Sequence, residues 1–479
     1  MSSIKKNVSY QIVYHILQIL LPLVTSPYIS RVLGANGVGI YSYTYSIVSY
    51  FALFAQLGIQ IYGNRTIAMV RDDQQKLNQT FSDLLAVHLA VSVIALCAYG
   101  GYIFIGKMEH PEIAAIQALY VIAELLEINW LYFGLEQFKI TVTRNSIIKI
   151  ATLISIFCFV KTADDVWKYC AIMAASAALS EIIVWAFLPH YAKIVKPNWS
   201  DSKKHIIPLI SFFIPSAAVS LYKVMDKIML GIMSNKVQVG YYENSEKIIY
   251  VALGFISAVG TVMMPRMSNL ASKGDEKQAL KMIDISIQIV MIIMAAMAGG
   301  IIGVANVFAP FYWGAEFSVC NTFLKGLSFS MLFTAFANVI RTQYLIPWHK
   351  DKVFQLSVIS GAGVNLIVNF LLIPNFQAMG AVIGTIAAEA TVCLIQGVYA
   401  SRYIPIPGYL KKSIPYAFFA AFMSMAVYLI GNAMQGNMLT LIIQVLSGSC
   451  IYIGLTALYL YITKDALLDE IMKIIRRKA

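Results

Sequence analysis

Charged residues are scarce in this sequence. Asp, Glu, Lys and Arg make up 13% of its 479 residues, whereas soluble domains carry about 25%. Hydrophobic residues reach 59%, and the mean hydropathy is +0.71. The apolar residues fall in runs of about 20, the length that a helix needs to cross a bilayer. The composition excludes an ordinary soluble protein and predicts an all-α protein that spans the membrane many times.

Motifs that carry chemistry are lacking as well. The six cysteines are scattered through apolar segments, with no CxxC pair and no Cys/His cluster, so neither a disulfide framework nor a zinc site is indicated. The sequence contains no P-loop for nucleotide binding. The polar connections are too short to form a soluble catalytic domain. We therefore expect neither an enzyme nor a cofactor nor a metal site, and we expect the function to be carried out in the membrane.

The apolar runs predict about fourteen membrane-spanning helices. The connections between them alternate sharply in Lys and Arg content, and the positive-inside rule then places both termini in the cytoplasm, with the chain in the cytoplasmic membrane. The net charge of +12 is explained by this topology and by attraction to anionic membrane lipid, rather than by a nucleic-acid partner. The predicted spans are 8–30, 38–62, 81–106, 112–135, 145–161, 165–188, 206–233, 239–265, 282–306, 320–346, 353–373, 378–401, 412–431 and 437–463.

The sequence also repeats itself. A Leu-Gly pair is followed by a second glycine with a tyrosine close behind, then by an arginine 26 residues after that glycine, and then by an acidic loop. Six predicted helices separate the two copies, so the repeat is parallel. It predicts two pseudo-symmetric six-helix lobes, 1–200 and 201–405, then an extra helix pair at 406–465 and a basic cytoplasmic tail at 466–479. The matching residues are Leu33, Gly34, Gly39, Tyr41, Arg65 and Asp72 in the first copy and Leu230, Gly231, Gly240, Tyr241, Arg266 and Asp275 in the second.

Longer motifs lie in the same regions. They are PYISRVLGANGVGIYSYTYSI, LGIQIYGNR, NWLYFGLEQFK, DKIMLG with VGYYENSEKI, and MMPRMS, which ends at residue 268. In them the chain resembles the Wzx-type polysaccharide flippases of the multidrug/oligosaccharidyl-lipid/polysaccharide exporter superfamily. The resemblance implies a MATE-like fold, with two helix bundles around a cavity that opens alternately to either side.

The resemblance also implies a substrate. It is an undecaprenyl-pyrophosphate-linked oligosaccharide, which is moved from the inner to the outer leaflet for capsule, exopolysaccharide or O-antigen-type biosynthesis. An ion gradient of protons or sodium is the expected driving force. Polysaccharide polymerase and chain-length machinery are candidate partners.

Cations within apolar helices are candidates for binding the pyrophosphate. Lys223, Asp226 and Lys227 share one face of the predicted helix 206–233, where each charge costs roughly 2.5–3.5 kcal/mol near the bilayer centre. Lysine and arginine neutralise phosphate groups, so we predict that the two lysines hold the pyrophosphate together with Arg31 and Arg341.

Structural interpretations of these cations remain open. The lysines can instead pair with Asp226, Glu243 or Glu246 and lock neighbouring helices together, and Asp226 can keep them paired while the cavity is empty. Arg31 can extend to the outer interface.

Carboxylates within apolar helices are candidates for ion coupling. Glu124 and Glu127 are three residues apart on one face, Glu181 lies in the sixth predicted span and Glu389 in the twelfth. We predict that Glu124 or Glu127 titrates during a proton- or cation-driven cycle, with Glu389 a further candidate. A purely structural carboxylate is an equal alternative. His88 is interpreted as a packed polar residue rather than a proton relay.

Tyrosines and prolines complete the candidate set. Tyr41, Tyr45 and Tyr242 are candidates for glycan contact, although interfacial anchoring explains many membrane tyrosines. Prolines bend helices, so the prolines of the first and seventh helices are predicted as hinges for alternating access, with a static kink as the alternative. These candidate hinges are Pro22, Pro27, Pro208 and Pro215.

Three other functions compete with this interpretation. A multidrug extruder of the same fold would have twelve helices and a less cationic cavity. Export of a peptidoglycan or teichoic-acid precursor remains open within the flippase interpretation. A membrane-embedded polysaccharide polymerase would need a long outer loop with catalytic residues, and the outward connections here are short.

Overall fold

The computed structural model describes residues 2–106 and 109–464, without the side chains of 2–20, 215–216, 218–219 and 221–223. Helices account for nearly all of these residues, and no strand occurs among them. Twelve helical segments in the described ranges are long and apolar enough to cross a membrane. The prediction of an all-α multi-pass membrane protein is confirmed. The predicted count of fourteen is approximate, because one of the twelve segments, Leu21–Val70, has 50 residues and bends within its length.

The chain divides by compactness into two units, Met1–Gly240 and Tyr241–Ala479. Within the described residues, nine helices lie wholly in the first unit, and α10 begins at its end. They are α1 (Ser2–Gln56), α2 (Ile59–Val70), α3 (Gln74–Ile105), α4 (Pro111–Leu125), α5 (Asn129–Gly134), α6 (Phe138–Phe159), α7 (Val166–Trp185), α8 (Trp199–Lys204) and α9 (Ile206–Met233), followed by α10 (Lys236–Lys273).

The second unit continues α10 and adds six further helices. A short π-helical turn, Arg341–Leu345, follows the second of these six. Compactness assigns α9 to the first unit, whereas the repeat places it at the start of the second lobe, so the lobe boundary at residue 200 stays a prediction. The helices are α11 (Glu276–Trp313), α12 (Cys320–Ile340), α13 (Asp351–Phe376), α14 (Ala378–Ala400), α15 (Ile406–Ala433) and α16 (Met438–Thr463).

Helix α1 contains the first predicted span, 8–30, and most of the second, 38–62. Its helical geometry fails at Gly34, whose φ of 66° and ψ of 178° suit glycine because it has no Cβ. The helix continues through Pro22 and Pro27, so the break in α1 falls at the glycine rather than at the prolines. Pro208 lies in the first turn of α9, where a missing N–H leaves no helical hydrogen bond broken. The hinge role of these prolines stays a prediction.

The repeated glycines Gly39 and Gly240 pack against each other in the first unit. A Cβ on Gly39 would lie 1.6 Å from the carbonyl oxygen of Lys236, and a Cβ on Gly240 would lie 2.1 Å from that of Ala35. Each glycine therefore faces the residue four positions before the other glycine. Only glycine permits two helix backbones to approach so closely.

The repeated acidic loops have a local role. The Asp73 carboxylate accepts hydrogen bonds from the amides of Gln75 and Lys76, both at 3.1 Å, and so caps α3. These bonds, the Lys76 bond foremost, hold the pKa of Asp73 below its usual range. Asp275 caps α11 in the same way, through the amide of Gln278 at 3.1 Å. The two acidic loops thus begin the next helix in each copy.

Candidate functional site

The predicted fourth span is interrupted in the middle of the first unit. α4 ends at Leu125 and α5 begins at Asn129, although the sequence predicts one helix over 112–135. Backbone groups at such an interruption need partners from outside the helix. The Glu127 Oε1 atom accepts a hydrogen bond from the Asn129 amide at 2.8 Å, and the Trp185 indole N–H donates to the Leu126 carbonyl at 2.8 Å. Glu127 is therefore fixed by the interruption itself, and it is 3% exposed.

A buried ion pair lies beside this interruption. The Arg144 Nη1 atom is 3.4 Å from Glu181 Oε2, and the two side chains are 4% and 14% exposed. Asn129 bridges the pair, because its amide nitrogen donates to Glu181 Oε2 at 2.8 Å while its amide oxygen accepts from Arg144 Nη2 at 3.1 Å. Asn145 Oδ1 accepts a further bond from Arg144 Nη2 at 2.7 Å. Such pairing is what permits charges to remain away from water.

Glu124 lies one turn before Glu127 and has different partners. Its Oε2 atom accepts from the Gln56 side-chain amide at 3.4 Å, and its backbone carbonyl is 2.8 Å from Nε2 of His88. His88 is 2% exposed, so the structure agrees with a packed polar histidine. Glu124 and Glu127 were predicted to share a helix face, but α4 ends at Leu125 and Glu127 lies in the interruption. Both nevertheless belong to one polar region of the first unit.

Free acceptor capacity remains in this buried cluster. The Oε2 atom of Glu127 has no hydrogen-bond partner among the described residues, and neither does Nδ1 of His88. A buried oxygen without a partner is costly, and it can be satisfied by binding a proton or a small cation. In the described part of the chain, no group of three or more His, Cys, Asp and Glu residues has the arrangement of a metal site.

The predicted pyrophosphate ligands are divided between the two units. Arg31 is exposed on α1, Asp226 is 4% exposed on α9, and Lys227 beside it is half-buried. The side chain of Lys223 lies outside the described residues, as does that of the candidate hinge Pro215. In the second unit Arg341 opens the π-helical turn, with its guanidinium 5.5 Å from the ring centre of Phe354. The phosphate-binding role of these residues stays a prediction.

The remaining candidates occupy packed positions. Tyr41 is buried, its hydroxyl is 3.0 Å from that of Tyr120, and its ring stacks on Tyr45 at 5.7 Å. In the second unit the Tyr242 hydroxyl is 2.8 Å from the Thr385 hydroxyl, and Glu389 is half-buried on α14. Tyr45 is 40% exposed, whereas Tyr41 and Tyr242 are buried. Glycan contact by these tyrosines and ion coupling by Glu389 stay predictions.

Sequence reasoning missed the centre of the buried cluster. The predicted spans place Arg144 in a cytoplasmic connection, because the fifth span is predicted to begin at residue 145. Helix α6 begins seven residues earlier, at Phe138, and buries Arg144 to 5% exposure. Asn129 and Asn145 carry no charge signal in the sequence. The one available signal was Glu181, since a lone intramembrane carboxylate predicts a buried partner.

Fold and site together define the class of the protein: a multi-pass helical membrane protein with buried ionisable groups. The fold is similar to a lipid II flippase MurJ in an inward closed conformation, with a TM-score of 0.76, 14% identity, and coverage of 95% of this chain and 100% of that one. It is also similar to an inward-facing multidrug resistance MATE family transporter of the MOP superfamily, with a TM-score of 0.59, 14% identity, and coverage of 82% and 96%.

Sequence comparison assigns the family. The pattern of the polysaccharide biosynthesis protein family matches residues 4–271, more than half of the chain. The chain belongs to that family. It is also similar to the "Putative O-antigen transporter" of Shigella dysenteriae, with 25% identity over 398 residues that cover 81% of this chain and 98% of the relative. The resemblance seen in the sequence motifs is confirmed.

Proposed function

We propose that this chain moves an undecaprenyl-pyrophosphate-linked oligosaccharide from the inner to the outer leaflet by alternating access, for the assembly of a surface polysaccharide. The observation that carries the proposal is the agreement of family and fold. The family is one of polysaccharide biosynthesis, and the fold is similar to that of a lipid flippase over 95% of the chain. The agreement supports a transporter of a glycan-bearing lipid.

The orientation and the partners belong to the same proposal. The basic connections favour a cytoplasmic location for both termini, in the cytoplasmic membrane. The lipid-linked oligosaccharide is the substrate, and membrane lipid surrounds the chain. A polysaccharide polymerase with its chain-length machinery is the downstream partner, because a repeat unit delivered to the outer leaflet has to be joined to others there.

Within this function the cations hold the pyrophosphate. A pyrophosphate that leaves the bulk solvent needs positive charge within hydrogen-bonding distance. Lys227 and Lys223 on α9 and Arg31 on α1 offer that charge in the first unit, and Arg341 offers it in the second. Asp226 is buried on the same helix, and we expect its carboxylate to keep the lysines neutralised before substrate arrives.

Ion coupling is assigned to Glu127. Both Glu124 and Glu127 lie in the polar region, but Glu127 is the more buried of the two and has a side-chain oxygen without a partner among the described residues. The nearby Arg144 is already engaged by Glu181 and by two asparagines. A proton or sodium ion bound at Glu127 Oε2 supplies the partner that the fold lacks, and its release during the cycle couples transport to the gradient.

Two related functions compete with this one. A multidrug extruder shares the fold, but the similarity to the MATE transporter covers less of the chain and has a lower TM-score. A precursor flippase for peptidoglycan or teichoic acid shares both fold and lipid chemistry. These alternatives differ in what accumulates when the protein is absent.

A deletion strain tests the proposed function directly. We expect lipid-linked repeat units to accumulate on the cytoplasmic side, and surface polysaccharide to be lost while peptidoglycan synthesis continues. Complementation with Lys227→Ala should restore less than about a tenth of export, as loss of one charged hydrogen-bond partner costs about 1.5–3 kcal/mol. Normal surface polysaccharide in the deletion strain would exclude the function.

Carboxylate substitutions test the coupling. Glu127→Gln should reduce export by roughly tenfold at an unchanged amount of protein in the membrane, because an amide neither binds nor releases a proton. Glu124→Gln should reduce export less. Glu136→Gln is the matched control, since Glu136 is exposed and pairs with Arg71 at 2.6 Å. Wild-type export from both the Glu124 and Glu127 variants would remove these carboxylates from the mechanism.

A further inference from the structure

A cavity of about 290 Å³ lies in the first unit, apart from the buried carboxylates and the predicted phosphate ligands. Its walls come from α1, α3, the segment before α4 and its first turn, the end of α9 and the start of α10. Six of its lining residues are three tyrosines and three charged or basic groups. These are Tyr43, Tyr99, Tyr102, Glu109, His110 and Lys236.

The repeated sequence pattern constructs one wall of this cavity. A Cβ on Gly231 would lie 2.0 Å from Cδ2 of Tyr43, so the second copy of the Leu-Gly pair makes room for the tyrosine ring. The Lys236 Nζ atom lies 3.7 Å from the centre of that ring. It also donates a hydrogen bond to the Gly231 carbonyl at 2.9 Å. The ammonium group is thus held in place on an aromatic face at the cavity wall.

The charge partner of Lys236 is the weakest of its contacts. Glu109 Oε2 lies 3.4 Å from Nζ, and the Glu109 side chain is 70% exposed whereas that of Lys236 is 12% exposed. An exposed carboxylate contributes little to an ion pair, since water screens it. An anionic group entering the cavity can take its place without leaving Lys236 unneutralised. The cavity is therefore arranged to receive a negative charge at one end.

The aromatic residues define the rest of the ligand. Tyr99 donates its hydroxyl to the Ala114 carbonyl at 2.9 Å and forms a fixed wall, while Tyr102 stacks beside it at 6.4 Å. Aromatic faces with hydroxyl groups suit a molecule that has both C–H faces and hydroxyl groups. A volume of this size is near the lower limit of ligand sites, roughly 300–1,000 Å³, so it suits a single ring rather than a chain.

We propose that this cavity binds one acidic sugar residue, a hexuronate, with its carboxylate on Lys236 and its ring between Tyr43 and Tyr102. The site deepens the proposed function, on which it rests, because it selects the glycan of the lipid-linked substrate. Glu109 pairs with Lys236 while the cavity is empty, and the carboxylate of the sugar displaces it. Neutral sugars lack the group that displaces it.

Binding of matched sugars to the full-length protein in nanodiscs tests the site. Titrations followed by saturation-transfer NMR compare glucuronate with methyl glucoside, and inorganic phosphate is added as a competitor. We expect glucuronate to bind at least tenfold more tightly than methyl glucoside, and phosphate to compete weakly. Equal binding of the two sugars, or displacement of glucuronate by phosphate at equal concentration, would overturn the proposal.

Two variants with opposite expected effects exclude a merely structural role. Lys236→Gln should abolish the preference for glucuronate, whereas Glu109→Gln should tighten glucuronate binding several-fold because Lys236 loses its competing partner. Lys168→Gln is the control. Lys168 pairs with Asp165 at 2.6 Å and lies 5.8 Å from the Trp167 ring, yet it does not line this cavity. An unchanged preference in Lys236→Gln contradicts the assignment.

Export of repeat units separates this site from the proposed function. If cells export normally but the protein shows no preference for glucuronate, the sugar site is wrong and the flippase stands. If glucuronate binds as expected but no repeat unit accumulates in the deletion strain, the site stands and the flippase proposal is wrong.

Discussion

The two compact units bury different kinds of polar side chains. Among the described side chains, the first unit buries six Asp, Glu, His or Arg residues, and the second unit buries one, Glu246. Both units bury amides and hydroxyls, and in the second unit these are nearly all of the buried polar side chains. The six are Asp83, His88, Glu127, Arg144, Asp165 and Asp226, and the uncharged set includes Gln343, Ser357, Asn365, Asn369, Gln396 and Gln444.

This difference separates groups that can change charge from groups that cannot. A buried amide offers the same donors and acceptor at every pH, and Gln396 and Gln444 use theirs to join helices at 2.8 Å. A buried carboxylate or histidine gains or loses a proton when its surroundings change. We infer that ion exchange, if it drives transport, takes place in the first unit, while the polar core of the second unit mainly holds helices together.

The largest expected effect tests how closely the backbones approach in each unit. Gly39→Ala should destabilise the protein by more than about 3 kcal/mol, because the new Cβ meets the Lys236 carbonyl at 1.6 Å. In the second unit Gly299→Ala meets the Ala420 carbonyl at 2.7 Å and should cost about 1–3 kcal/mol. Thermal unfolding in detergent and the amount of protein in the membrane measure both.

Gly101→Ala controls for this pair of substitutions. A Cβ there has no atom within 4 Å, and alanine favours a helix, so we expect unchanged or slightly higher stability. Equal unfolding midpoints for the Gly39 and Gly101 variants would show that the crossing at Gly39 is not close in the native protein.

The next effect compares buried charge with a buried amide. Arg144→Ala should cost about 3–5 kcal/mol, because it leaves Glu181 buried without its partner. Gln396→Ala in the second unit removes one hydrogen bond, to the Ser357 hydroxyl, and should cost about 1–3 kcal/mol. Chemical denaturation of the purified protein gives both values.

A double substitution sharpens this test. Arg144→Met combined with Glu181→Leu should recover much of the loss, because no unpaired charge remains. If the double variant is as unstable as Arg144→Ala, packing rather than charge holds this region together, and the contrast between the units loses its basis.

The smallest effect is a pH dependence at the edge of the first unit. His205 precedes α9, and its Nδ1 atom is 2.8 Å from the Tyr62 hydroxyl. Burial lowers the pKa of His205, although Asp83 and Asp201 oppose the shift. Its contribution to stability is complete above the unfolded-state pKa of about 6.5 and is lost as the pH falls below it, since the unfolded chain takes up the proton more readily.

Unfolding midpoints at pH 7.5 and 5.5 measure this contribution. Between pH 7.5 and 5.5 the unfolding midpoint of the wild type should fall further than that of His205→Gln, by up to about 2 °C. A wild-type protein that gains stability relative to the variant on acidification would reverse the sign and contradict a half-buried, neutral histidine.

The sequence predicted more about the helices than about their ends. Apolar runs indicated an all-helical membrane protein, and Glu124 and Glu127 were predicted to share a face, which the structure places in one polar region. It did not predict that the helix ends at Leu125, between the two glutamates, because apolar content continues through the interruption. The sequence also placed Arg144 in a connection, because a charge near a helix end is expected to be exposed. Its helix in fact begins earlier, at Phe138.

Properties of single segments and contacts between distant segments were determined separately in this protein. Composition and hydropathy act on each segment separately, because transfer into a bilayer depends on the segment's own side chains, so the sequence by itself determined the class and the repeat. Partners come from segments far apart in the chain. That Gly39 packs on Gly240, that Arg144 pairs with Glu181 and that Lys236 rests on Tyr43 was decided only by tertiary structure.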